Sequence, residues 1–171
     1  MKNVPKLYTN RCVLDEICQE DGPFLHEIME NAESQRFLPE LYSLVRTKEG
    51  MRLFVTCFKK YLIQNEGILW GIKLKKRLIG FIAIMDLSTR PALFYAIHPL
   101  YRNLGIMKEC IAMVLKYIRK EIQCSAINTQ IRDDNIISEK ILLNFGFKSL
   151  TITKASLKDY QLSLYKDTHF Y

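Results

Sequence analysis

Glycine and proline are scarce in this chain, seven and five among 171 residues, and several chemistries fall with them. The glycines stand at 22, 50, 67, 71, 80, 105 and 146. No two are two apart and no two are five apart, so the fingerprints GxGxxG and GxxxxGK are both missing, and with them support for nucleotide-triphosphate chemistry. There is no GxSxG to form a nucleophile elbow. The three histidines, His26, His98 and His169, form no HExxH and have no cysteine at ligand spacing, which leaves metal catalysis without support. The five cysteines (12, 18, 57, 110 and 124) are an odd set without a CxxC pair, which argues against a zinc ribbon and against a disulfide framework. Long apolar runs are missing too. Leu78 to Met85 is stopped by Asp86, well short of the ~18 residues a bilayer span needs. Met1 to Cys12 lacks the apolar stretch of a secretory signal. A reducing cytoplasm is the expected location, with no membrane partner.

What remains is ordinary globular material, 49% hydrophobic and 25% charged, which predicts a single domain over residues 1–171. The net charge of +7 favours anionic partners in general. Its distribution argues against nucleic acid, because the basic residues are scattered and no basic helix carries interleaved aromatics. The densest group, Lys73, Lys75, Lys76 and Arg77, reads as a solvated turn, and Lys59 with Lys60 as a solvated helix face.

Arg11 to Ile17 alternates like a strand. Asp21 as a capping acceptor, with Pro23 just inside, predicts a helix to about Asn31. Ala32 to Arg46, interrupted by Pro39, reads as irregular or broken helix. From Thr47, the residues Met51, Phe54, Val55, Phe58, Tyr61 and Leu62 follow helical spacing. Gly67 to Leu74 and Leu78 to Asp86 read as a hairpin, and Pro91 to His98 as a third strand closed by Pro99. A helix from about Asn103 to Lys120 follows, then a strand from Cys124 to Ile131 and a helix from Asn135 to Phe145 ended by Gly146. Two last strands are expected near Phe147 to Ala155 and Tyr160 to Lys166. The order β-α-α-β-β-β-α-β-α-β-β predicts an α/β fold with a mixed, mostly antiparallel sheet of six to seven strands and about four helices.

One segment concentrates chemical potential: a strand ending at His98-Pro99, a polar turn with Arg102 and Asn103, and Gly105 opening an amphipathic helix. The first turn of a helix has backbone N–H groups without internal acceptors, and the helix dipole adds positive character there. Glycine allows close approach of a ligand, and arginine adds a cation, so the turn can seat a pyrophosphate. The same glycine also suits a turn that does nothing more than join strand to helix.

Arg102-Asn-Leu-Gly105-Ile-Met107 resembles the pyrophosphate loop Q/R-x-x-G-x-G/A of the GNAT N-acetyltransferases. The flanking Tyr-Ala-Ile-His-Pro and Lys-Glu are similar to the branch containing the ribosomal-protein N-terminal acetyltransferases. So are Asn135-Ile-Ile-Ser138 with Gly146-Phe147 downstream, and Thr9-Asn-Arg-Cys-Val-Leu at the start. The resemblance spans nearly the whole chain and implies the GNAT fold, with acetyl-CoA as cosubstrate. It implies cofactor-binding roles for Ile97, His98, Arg102, Asn103, Leu104, Gly105, Ile106, Met107 and Asn135. In this fold the strand ending at Ile97 and the strand from Cys124 splay apart, and the pantetheine arm lies between them. Met107 departs from the usual glycine or alanine, although its N–H can still face phosphate.

Leu142 stands where many members carry a tyrosine that protonates the departing thiolate, and leucine cannot do so. Ser138 is the candidate replacement; its other reading is a helix cap. The acceptor amine must be neutral to attack, and an α-amino group has a pKa of about 8, so a base or ordered water must take a proton. Asp86 is the first candidate base and Glu66 the second, against a plain solvated carboxylate. His98, beside the cofactor, suits a structural role. Trp70, Tyr95 and Tyr101 either line the site or pack the core. The expected function is transfer of an acetyl group to a primary amine: a protein N-terminus, an amino acid or a small amine. The alternative is a non-catalytic GNAT module binding CoA or a protein partner. Either a monomer or a homodimer is compatible with the sequence.

Overall fold

The structure, a computed structural model, describes residues 1–153 and 156–164. In chain order the elements are β1 (Leu7–Tyr8), β2 (Val13–Asp15), α1 (Gly22–Met29), α2 (Ala32–Phe37), α3 (Pro39–Val45), α4 (Lys48–Gln64), β3 (Gly67–Leu74) and β4 (Arg77–Met85). They continue as β5 (Ala92–Ile97), α5 (Ile106–Glu121), β6 (Ala126–Arg132), α6 (Ile136–Asn144), β7 (Lys148–Thr153) and β8 (Leu157–Ser163). The ends expected at Ala155 and Lys166, and His169, lie outside the described residues.

The strands form one mixed sheet in the order β1-β2-β3-β4-β5-β6-β8-β7. Every pairing is antiparallel except β5 with β6, the pair joined by the α5 crossover. The sheet has eight strands rather than six or seven, because the short Leu7–Tyr8 pairs with Val13–Leu14 at one edge. Strand β8 inserts between β6 and β7, so the strands joined by α6 run the same way without touching.

Helix α4 follows from its sequence. The Thr47 hydroxyl accepts from the Gly50 amide at 3.0 Å, and Asn65 ends the helix in a left-handed conformation at φ 58°. Phe54, Phe58 and Leu62 face inward, and Phe54 packs edge-on against Phe58 and against Phe81 of β4. The phenylalanines belong to one core, on the α1–α4 side of the sheet, while Leu62 joins the other. On the other side, Ile106, Met107, Cys110, Ile111, Val114, Leu115 and Ile118 of α5 bury against Trp70, Ile82 and Leu93. Burial of each such side chain contributes roughly 1.5–3 kcal/mol.

Three expectations change. Asp21 does not cap α1: its carboxylate accepts from the Cys18 amide at 2.9 Å and pairs with Lys73 at 2.8 Å. Lys73 is thereby part of a nearly buried ion pair rather than a solvated charge, and Arg77 pairs with Glu27, while Lys75 and Lys76 take positive φ in the hairpin turn. The 32–46 stretch keeps to its expectation of broken helix: two short helices interrupted at Leu38. Helix α5 starts at Ile106, not Asn103, because Asn103 (φ 58°) and Gly105 (φ 76°) are left-handed. None of the helices among the described residues is long and apolar enough to cross a membrane.

Candidate active site

The parallel junction sets the site. Strands β5 and β6 share one registered pair, Ala92 with Asn128. Around it, the Asn128 amide donates to Pro91 O at 2.7 Å, its side-chain amide to the same oxygen at 3.2 Å, and the Thr129 hydroxyl to Leu93 O at 2.9 Å. Beyond Leu93 the strands part. The edge of β5 that faces β6 is then left without a ladder partner, a row of main-chain groups able to take an extended ligand.

At the end of that edge lies the turn expected from the sequence. The His98 ring accepts from the Leu100 amide at 3.2 Å and stacks edge-on with Tyr101, so it shapes the turn, in line with a structural role. The amides of Leu104, Gly105, Ile106 and Met107 have no acceptor among the described residues. Gly105 needs its glycine for conformation: at φ 76° an L side chain is strained, although a Cβ there would approach only Arg11 Nη2, at 3.6 Å. Met107 turns its side chain into the core, which leaves its amide outward. Leu104 is exposed and its carbonyl accepts from Arg11 Nη1 at 2.8 Å.

Arg11 is the residue that sequence reading missed. Its Nε and its amide both donate to the Glu109 carboxylate, at 2.8 and 2.9 Å, so the start of the chain is clamped to the Gly105 turn. Burial alone would raise the Glu109 carboxyl, but hydrogen bonds from Thr9 and Arg11 outweigh it and hold the pKa below the usual range. Arg102, expected as the fixed cation of the turn, is engaged elsewhere. Its guanidinium pairs with Glu33, donates to Asn31 Oδ1 at 3.1 Å and reaches back to Ile97 O at 3.3 Å. It ties α2 to the turn because Glu33 and Asn31 sit in that helix's first turn and cap. Lys108 and Lys140 supply cations with no acidic partner among the described residues.

A cavity of about 460 Å³ runs along the open edge, lined by Tyr95, Ile97, Arg102, Asn103, Gly105, Ile106, Met107, Asn135 and Ser138, among others. A second cavity, of about 520 Å³, lies on the α1–α4 side. Phe37, Leu38, Tyr95 and Asn135 line both, so the two meet across the gap between β5 and β6.

At that meeting point Asn135 caps α6, accepting from the Ser138 amide at 3.1 Å. The capping role is therefore filled by Asn135, and the Ser138 hydroxyl is free of it. Tyr95 Oη is shut off from solvent and makes no hydrogen bond of normal geometry among the described residues. Burial pushes the Tyr95 phenol up to about 12, and the Ser138 hydroxyl facing it offsets part of that rise. Leu142, by contrast, is fully buried in the α5 core.

The two candidate bases stand apart. Asp86 and Glu66 are exposed and line neither cavity. Asp86 lies just beyond the β4 end paired with Ala92, where β5 and β6 are still joined, and its φ of 55° belongs to the turn leaving the sheet. Trp70 is fully buried, its Nε1 donating to Pro5 O at 2.8 Å, whereas Tyr101 lines the first cavity.

Residues 11–148 match the acetyltransferase (GNAT) domain. The chain is 27% identical over 174 aligned residues to the uncharacterized N-acetyltransferase YoaA of Bacillus subtilis (strain 168), covering 98% of this chain and 95% of that protein. The fold is similar to RimL, a ribosomal L7/L12 alpha-N-protein acetyltransferase solved with coenzyme A, with a TM-score of 0.84, 14% identity, and coverage of 93% of this chain and 98% of that one. It is similar to RimJ of Mycobacterium smegmatis, solved with a CoA-disulfide, with a TM-score of 0.76, 14% identity, and coverage of 94% and 86%. Those structural likenesses concern the fold; the domain match, spanning most of the sequence, carries the assignment. The chain belongs to the GNAT acetyltransferase family.

Proposed function

We propose that the protein moves an acetyl group from acetyl-CoA to a primary amine by direct attack, without a covalent enzyme intermediate. The observation that carries this reading is the run of unpartnered amides from Leu104 to Met107, opening onto a cavity that joins a second one beside Tyr95 and Ser138. These residues fit the cosubstrate. The amides and the adjacent lysines suit a diphosphate, each charge-assisted bond contributing about 1.5–3 kcal/mol. The open edge of β5 from Phe94 to Ile97 suits an amide-bearing arm.

When bound, acetyl-CoA supplies a thioester carbonyl activated toward amines. The β5 edge holds it in place, and positioning alone supplies much of the acceleration. Ser138, oriented by the Asn135 cap, lines the first cavity beside Tyr95 and Asn135, which both cavities share, and is the proton donor to the departing sulfur. The Tyr95 phenol backs the Ser138 hydroxyl. Cys110 is no nucleophile: it is buried among α5 core side chains, and burial pushes its thiol far above the ordinary value.

The test is release of free coenzyme A thiol on incubating the protein with acetyl-CoA and a panel of amines: amino acids, small amines and peptides with free N-termini. Amine-dependent thiol release with a matching acetylated product is the expected result. Coenzyme binding without transfer to any amine would instead support a non-catalytic module.

A further inference from the structure

The second cavity has a character of its own. Its floor is aromatic, with Phe37, Phe54, Phe58, Phe81, Phe94 and Tyr95. Three charged side chains line it: Arg36 of α2, Arg132 at the end of β6, and Glu40 of α3. Behind them Asp134 serves both guanidinium groups, pairing with Arg36 through Oδ2 and standing 3.4 Å from Arg132 Nε through Oδ1.

One carboxylate thus serves two guanidinium groups: Arg132 Nε and Asp134 Oδ1 are shut off from solvent and face each other as an ion pair without hydrogen-bond geometry. The terminal nitrogens of Arg132 make no hydrogen bond among the described residues. A guanidinium fork left open beside a cavity matches a carboxylate in shape and charge. Position agrees with this: Arg132 and Arg36 line the second cavity together with Tyr95, which the first cavity shares.

We infer that the acceptor is a free α-amino acid with an apolar or aromatic side chain: Arg132 and Arg36 take its carboxylate, and the phenylalanine floor takes its side chain. Glu40 supplies the negative charge that complements its ammonium group on entry. The inference rests on the acetyltransferase reading. In the transfer, the ammonium first gives one proton to solvent, and the neutral nitrogen bonds to the acetyl carbonyl carbon. The carbon–sulfur bond breaks with its electron pair going to sulfur, which takes a proton from Ser138, and the second proton lost by nitrogen returns to Ser138 through solvent.

The experiment compares L-phenylalanine, L-phenylalaninamide, phenethylamine and a tripeptide beginning with phenylalanine. Each is measured for turnover with acetyl-CoA and for binding to the CoA complex by titration. Phenylalanine is expected to exceed the amide by about 100-fold in kcat/KM, since the amide leaves the guanidinium pair without its anion. Arg132→Gln, and separately the more exposed Arg36→Gln, shrink that preference to under about 10-fold while coenzyme binding is unchanged. Equal or better use of the tripeptide or the amide overturns the inference in favour of peptide N-termini. Equal use of phenethylamine, or no binding of phenylalanine to the CoA complex, overturns it as well. If nothing is acetylated although coenzyme binds, the acetyltransferase reading fails, and the acid-against-amide binding contrast still decides the pocket.

Discussion

The two cavities that meet at Tyr95 are built by different means. The first is mainly a backbone construction: an unpaired strand edge, two left-handed residues and a helix start whose amides point outward. The second is a side-chain construction, gathered from α2, α3, α4, β4, β5 and β6. A backbone site is set by a short local pattern and holds a common ligand. A side-chain site can be re-cut residue by residue without disturbing the fold, which is how a shared scaffold comes to serve different acceptors.

Substitutions should separate the two along this line. The largest effect is expected where they meet. Ser138→Ala lowers kcat by about 10³-fold with coenzyme affinity unchanged, within the range for loss of a general acid. Tyr95→Phe lowers turnover less and leaves thermal stability equal or higher, because the hydroxyl it removes is buried and makes no hydrogen bond of normal geometry among the described residues. A Ser138→Ala enzyme as fast as wild type would take this residue out of the mechanism.

Gly105→Val acts on the backbone site alone. A β-branched residue at φ 76° is strained by about 1–3 kcal/mol and projects into the turn, so coenzyme affinity falls about 100-fold. Unfolding temperature without ligand falls only modestly, because the nearest atom to a Cβ there is the tip of Arg11. Unchanged coenzyme affinity in this variant would show that the turn does not carry the diphosphate.

Arg11→Ala releases the Leu104 carbonyl and takes the guanidinium away from Glu109, which keeps the main-chain amide of residue 11. We expect about a 10-fold loss of coenzyme affinity, comparable to one charge-assisted hydrogen bond, with the acid-against-amide preference for acceptors intact. Should that preference move as well, the two cavities are not independent.

The smallest effect is one of pH. Glu109 has a folded-state pKa below its ordinary value, so the stability it contributes is present above about pH 4.3 and is lost as pH falls through the lower folded value. Glu109→Gln should flatten the acid limb of the unfolding midpoint against pH. An identical acid limb in the variant would remove the clamp from the account.

The same division explains what could be read in the sequence. The strand–turn–helix around Gly105, the capped α4 and the crossover order follow from local signals: a glycine, a threonine cap, helical spacing. Ser138 became a candidate through the Asn135-x-x-Ser138 resemblance, and the same three-residue spacing lets Asn135 cap its helix. Arg11 could not be tied to the Gly105 turn, since its partners Leu104 and Glu109 are more than ninety residues distant. Asp21 reads locally as a helix cap, but Lys73 from β3 offers it a better partner. Arg102 reads as a free cation until α2 brings Glu33 to it. Arg36 and Arg132 carry no local pattern at all, and only the fold places them around one carboxylate.

Affinity for acetyl-CoA measured against affinity for acetyl-pantetheine, which lacks the diphosphate, tests most directly whether the outward amides of Leu104 to Met107 hold the cosubstrate. The account predicts strong binding of acetyl-CoA, weaker by at least about 100-fold for acetyl-pantetheine, with the gap closing in Gly105→Val. Equal affinity for the two ligands in the wild-type protein would contradict it.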